Sequence, residues 1–223
     1  TIVSPLNQIY NISSIDFNVS LNENASVCAF TLNNWQTNYT MSMFNVTYFN
    51  YTNSSVSDGN YLAKFYCNDT LGNVNKTASV NFTVDTLYPQ ISFGNRTALD
   101  NSNLSQNFIY VNISLTEINL ANITYVIYND SGLVNSTTYY NATVLVNFTN
   151  MQEGNYSYNV SAVDVLNQRN TTQTYHILLD YSAPNGTLIY PVNGNVTNIT
   201  IQNMTVNVSD NFAIKNATLF IYN

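Results

Sequence analysis

The sequence predicts an all-β protein made of sandwich domains in tandem. Three observations carry this. Short segments alternate apolar and polar residues with a period of two, no stretch keeps a helical period, and residues 56–93 reappear at 151–188. In Ile15-Asp16-Phe17-Asn18-Val19-Ser20 the alternation sends Ile15, Phe17 and Val19 to one face and the polar residues to the other. Val80 to Val84, Ile109 to Ser114 and Met204 to Ser209 repeat the pattern. Clusters of Asn, Asp, Gly and Ser separate these segments, as turns between strands require.

The elements follow in chain order. Ser4-Pro5-Leu6-Asn7 opens the first unit, and the strand around Phe17 comes next. A strand then places Cys28, Phe30 and Leu32 on one face. Asp58-Gly59-Asn60-Tyr61 starts a strand whose inward face is Tyr61, Ala63, Phe65 and Cys67. The loop Asn68 to Asn73 leads to a last strand ending in Val84, and Asp85-Thr86-Leu87-Tyr88-Pro89 closes the unit. In the second unit Glu153-Gly154-Asn155-Tyr156 repeats the acidic-Gly step before Tyr156, Tyr158, Val160 and Ala162, and Asp180-Tyr181-Ser182-Ala183-Pro184 repeats the linker. Ungapped, nine of 38 positions match, among them Gly59/Gly154, Asp69/Asp164, Asp85/Asp180 and Pro89/Pro184. Asn122 to Asn129 similarly matches Asn216 to Asn223. The expected domains are therefore 1–86, 87–181 and the opening part, 182–223, of a third. Pro89 and Pro184 force their predecessors into extended backbone, and linkers without a Gly/Ser spacer predict an end-to-end rod.

Composition removes many functions. Charged residues make up 8% of the chain and the net charge is -7 with five Lys plus Arg, which leaves no basic footprint for nucleic acid or anionic membranes. One His and two Cys provide no zinc cluster and no His-based catalytic set. No acidic pair suggests glycosidase chemistry. The chain is expected not to be an enzyme and to carry no membrane-inserted segment.

Surface polarity comes instead from 41 Asn, 20 Ser and 25 Thr. Chance composition gives about 8 Asn-x-Ser/Thr triplets, the N-glycosylation acceptor pattern. The chain has 27. In the first unit they start at Asn11, Asn18, Asn24, Asn38, Asn45, Asn50, Asn53, Asn68, Asn75 and Asn81. The second has Asn95, Asn103, Asn112, Asn122, Asn129, Asn135, Asn141, Asn147, Asn155, Asn159 and Asn170, and the third Asn185, Asn195, Asn198, Asn203, Asn207 and Asn216. The middle residue is apolar or Tyr in 19 of them, so most acceptors lie along a pleat and are expected to face solvent. Dense N-glycosylation is the expectation.

The motifs Asn68-Asp69-Thr70-Leu71-Gly72-Asn73 and Phe82-Thr83-Val84-Asp85-Thr86, with the Ser4-Pro5-Leu6-Asn7 opening, resemble the ends and start of immunoglobulin-like repeats in prokaryotic, especially archaeal, surface proteins. The resemblance covers the first unit and much of the second, where Val165-Leu166-Asn167-Gln168 departs from the loop motif. It implies tandem immunoglobulin-like β-sandwich domains arranged as a rod, on the outside of a cell. Relatives form filaments, stalks, coats and adhesins, or act as spacers on exported enzymes. Tyr61 and Tyr156 resemble the tyrosine corner of such sandwiches.

Cys28 and Cys67 align with Ile123 and Ala162, both inward positions, so an intradomain disulfide joining strands C and F of one sheet is expected in an oxidising compartment. The aspartates Asp85, Asp180, Asp69 and Asp164 raise the question of Ca²⁺ between domains. Each junction shows few carboxylates against the 6 to 8 oxygens of that ion, and turn capping is the commoner role, so no cofactor or metal is expected besides N-linked glycans. His176 lacks partner ligands and reads as a packing or surface residue.

Three function classes fit: a structural glycoprotein, an adhesin or carbohydrate-binding module, and a spacer. Expected partners are other copies or repeats of the protein, with surface glycans or other cells in the adhesin case. A third unit holding only opening strands would expose Met204, Val206, Val208, Leu219 and Ile221. Its completion by a longer chain is favoured over strands from a neighbour, because about four are missing relative to a seven-strand sandwich.

Overall fold

A computed structural model describes residues 1–222. Asn223, the last residue of the expected third unit, lies outside them. No helix among the described residues is long and apolar enough to cross a membrane.

The first domain runs β1 (Ile2–Ser4), β2 (Ile9–Tyr10), β3 (Ile15–Ser20), β4 (Val27–Thr31), β5 (Tyr39–Thr40), β6 (Ser42–Asn45), β7 (Tyr48–Asn53), β8 (Gly59–Asn68), β9 (Val74–Asn75) and β10 (Ser79–Val84). One sheet has the order β1-β3-β7-β6 and the other β2-β10-β8-β4-β5, with β9 on β8. The second domain runs β11 (Gln90–Phe93), β12 (Ser102–Leu104), β13 (Ile109–Thr116), β14 (Leu120–Asn129), β15 (Gly132–Tyr139), β16 (Leu145–Phe148), β17 (Gly154–Asp164), β18 (Arg169–Thr171) and β19 (Tyr175–Leu179). Its sheets, β11-β13-β16 and β12-β19-β17-β14-β15, repeat the same plan. Both domains are β-sandwiches, and the chain is all-β.

Period-two alternation builds each core. In β3 the buried residues are Ile15, Phe17 and Val19, and in β13 they are Ile109, Val111 and Ile113. The first core is rich in aromatics: Phe17 stacks on Phe30 with centroids 3.9 Å apart, and Phe65, Phe82 and Phe49 join the cluster. The second is mainly aliphatic, with Tyr125 and Tyr158 at its centre. Each fully buried Phe, Ile or Val contributes roughly 1.5 to 3 kcal/mol.

At the matching acidic-Gly steps, Gly59 (φ 151°) and Gly154 (φ 143°) adopt backbone that L side chains rarely enter. The Tyr two residues on turns back over the step. Tyr61 Oη donates to the Ser57 carbonyl at 2.8 Å, and Tyr156 Oη donates to that of Gln152 at 2.9 Å. The departing loop of the second domain is physically conservative, since Asn167 (φ 64°) holds the left-handed position of Gly72 (φ 85°). Asn tolerates that conformation through local hydrogen bonding.

Beyond the second domain, β20 (Asn185–Tyr190) and β21 (Thr205–Ser209) form one antiparallel hairpin with no buried residue. The expected strand at 216–222 is not formed. Its counterpart β14 draws its ladder bonds from β17 and β15, and neither has an equivalent among the described residues. Without those partners an extended segment gains no ladder to offset its ordering entropy. Met204, Val206, Val208, Leu219 and Ile221 are exposed.

Candidate functional site

Two features stand out: the acceptor array on the outer faces and the joint between the domains. Strand pleating sets the first. None of the 27 acceptor Asn is buried; 20 are exposed, and Asn18, Asn53, Asn68, Asn112, Asn122, Asn159 and Asn170 are half-buried. The half-buried ones sit on or beside inner strands such as β3, β13, β14 and β17, flanked by neighbours on both sides, so solvent exposure is less uniform than the alternation alone suggests. Asn170 is engaged across the joint, where its Nδ2 donates to the Pro89 carbonyl at 2.9 Å.

Several open depressions mark the surface. The one beside His176 is lined by Asn103, Asn129 and Asn155, three acceptor residues, with Asp130 and Tyr156. His176 is exposed, and its Nδ1 lies 3.2 Å from Asp100 Oδ1, the one contact between a basic side chain and a carboxylate among the described residues. Hydrogen bonds from the His176 backbone, then partial desolvation acting the other way, leave Asp100 below its ordinary value.

Cys28 and Cys67 face each other directly across β4 and β8 and are joined by a disulfide. Their counterparts Ile123 and Ala162 pair in the same register across β14 and β17. The bridge therefore links neighbouring strands of one sheet, and it fits an oxidising environment.

At the joint, the chain leaves β10 through Asp85, which is 2% exposed and whose N–H donates to Tyr10. The loop after β13 brings Glu117 to it, and the end of β17 brings Asp164, which is 1% exposed. One carboxylate oxygen from each lies within 4.8 Å of the others. Asn119 braces two of the three, its N–H donating to Glu117 Oε1 at 2.8 Å and its Nδ2 to Asp85 Oδ2 at 3.0 Å. Asp164 Oδ1 accepts the N–H groups of Leu166 and Gln168, both at 2.8 Å. Its Oδ2 is sealed from solvent and accepts nothing. Burial pushes the Glu117 carboxyl up against backbone hydrogen bonds from Asn119 and Ile118, and the charges of Asp85 and Asp164 add to the rise.

Of the four aspartates singled out by sequence, the structure brings Asp85 and Asp164 together and leaves the other two elsewhere. Asp69 caps its own loop, accepting Leu71 and Asn73 N–H groups at 2.8 Å each. Asp180 lies at the second linker, where burial first and then Asp210 and Glu153 push it up. Glu117 was missed because nothing in its spacing along the chain points across a linker. The acid of the acidic-Gly step was missed as a clamp. Asp58 Oδ1 holds Thr86 through its N–H and hydroxyl, and Glu153 Oε1 holds the Tyr181 and Ser182 N–H groups.

No family model and no curated protein matches the chain. Among solved structures, the fibronectin(III)-like modules of Clostridium thermocellum CbhA are similar at 14% identity and a TM-score of 0.34, over 80% of this chain and 93% of theirs. The FN1-FN3 domains of chicken CNTN1 show 13% identity and a TM-score of 0.32, over 80% of this chain and 66% of that one. A chimeric titin Z1Z2 tandem shows 9% and 0.30, over 80% and 98%. The sandwich assignment rests on the sheet orders and the two cores.

Proposed function

We propose that this chain is a structural, heavily N-glycosylated extracellular repeat segment of a prokaryotic, archaeal-type surface filament, stalk or coat. The observation that carries this reading is that 27 acceptor triplets occupy a chain of 223 residues and none places its Asn in a core. A chain with 8% charged residues needs another source of surface hydration, and glycans provide it. A disulfide within the first sandwich supports the export that glycosylation requires.

The adhesin reading asks for a glycan-free recognition face. The depression beside His176 is crowded by three acceptors, which favours the structural role over a binding pocket there. The spacer reading differs only in what else the natural polypeptide carries.

Intact mass of the native material before and after chemical deglycosylation tests the proposal, together with electron microscopy of the purified object. Many occupied sites on a polymeric or coat-like assembly are expected. A mass equal to the bare 25.0 kDa polypeptide overturns the glycoprotein reading.

A further inference from the structure

We infer that Asp85, Glu117 and Asp164 form a calcium-binding clip that ties the linker leaving the first domain to the loop after β13 and the end of β17 in the second. This revises the expectation of a metal-free chain, and it stands on the joint's geometry, independently of the glycan reading.

Three carboxylates from three separate elements converge, each offering an oxygen within 4.8 Å of the others. Calcium binds oxygens at about 2.3–2.6 Å, so oxygens that share one ion lie up to about 5 Å apart, a span that covers these three. Acidic residues converge at many surfaces without a ligand, but here Asp85 and Asp164 are 2% and 1% exposed. Asp164 also has one oxygen fixed by two backbone N–H groups, while the other is sealed without a hydrogen-bond partner. A buried carboxylate oxygen left unpaired is costly, and a cation satisfies it. No Lys, Arg or His among the described residues forms an ion pair with any of the three. Asn119 donates to Glu117 and Asp85, holding both carboxylates in place without neutralising them.

The donor set selects the ion. Oxygen ligands alone favour a hard cation over zinc, since the one His lies elsewhere and both Cys are in the disulfide. Carboxylates gathered from a linker, a loop and a strand end suit calcium's adaptable coordination better than magnesium's strict octahedron. Backbone oxygens and water would complete the shell.

The second linker is built differently. Asn211 stands where the half-repeat match places Glu117, and its Nδ2 donates to Glu153 Oε2 at 2.6 Å. The clip therefore belongs to the first joint.

The test is calorimetric titration of the chelator-treated chain with CaCl₂, alongside MgCl₂ and thermal unfolding with and without CaCl₂. One saturable calcium site per chain and a raised melting temperature are expected. Asp164→Asn and, as the half-buried alternative less prone to misfolding, Glu117→Gln should each weaken calcium binding at least about tenfold, while Asp100→Asn leaves it unchanged. Absence of saturable binding at millimolar calcium overturns the inference, as does wild-type affinity in a folded E117Q variant. Tighter binding of magnesium than of calcium overturns the choice of ion.

Discussion

At the scale of single residues, the most informative positions are those where backbone conformation decides identity. Gly154 has open space around it, with nothing within 4 Å of an added Cβ, yet its φ is +143°. Gly154→Ala should therefore destabilise the second domain by about 1–3 kcal/mol through backbone strain alone, read from chemical denaturation. Tyr156→Phe removes the bond to Gln152 and should cost about 0.5–1.5 kcal/mol while leaving the ring's packing intact. A cost near zero in either variant contradicts the role assigned to the acidic-Gly-Asn-Tyr step. That step was legible in sequence because two copies share it. The acid within it was not, since its partner is linker backbone, whose N–H groups carry no sequence signature. Glu117 was hidden for a related reason. It meets Asp85 only because the two domains dock, and spacing along one chain does not report docking.

At the scale of elements, strands and their faces were readable from period two, and the register of Cys28 with Cys67 followed from superposing the repeats. The unpaired segment 216–222 was not readable, because alternation reports which face a strand would bury and says nothing about whether a partner is present. The pleat also predicts a hierarchy of glycan occupancy. Asn170 is half-buried and its Nδ2 already donates to Pro89, so glycopeptide mapping should find it less occupied than exposed Asn135, Asn141 or Asn147. Full occupancy at Asn170 would mean the domains join after modification or in another arrangement. Reducing the disulfide, which closes a span of 39 residues between β4 and β8, should lower the stability of the first domain by about 2–4 kcal/mol and spare the second. Two resolved unfolding transitions would show this, and a uniform shift of both would contradict it.

At the scale of the whole molecule, sparse charge shapes its response to acid. Asp69, through the Asn73 side chain first, and Asp100, through His176, are held below their ordinary value of 3.8. Glu153 is held below 4.5 because hydrogen bonds from Ser182, Tyr181 and Asn211 outweigh its desolvation. Lowered values mean stability that is full above the ordinary pKa and is lost as pH falls through the folded one. Asp180 and Glu117 are shifted upward, so acid relieves rather than weakens them. Melting temperature should thus hold or rise slightly from neutrality to about pH 5 and should decline only below about pH 4. A steep loss near pH 6 would contradict this. In each sandwich an early strand lies parallel to the last one: β2 beside β10, with Asp85 N–H on Tyr10, and β12 beside β19, with Asp180 N–H on Leu104. β1 and β11 come first in the chain and lie in the opposite sheets, and tension passing beyond them reaches β2 or β12 and leaves through the last strand. It loads their shared hydrogen bonds in parallel instead of peeling them off one after another. Each sandwich is thereby latched by shear between its paired early and last strands when the chain is pulled from its two ends.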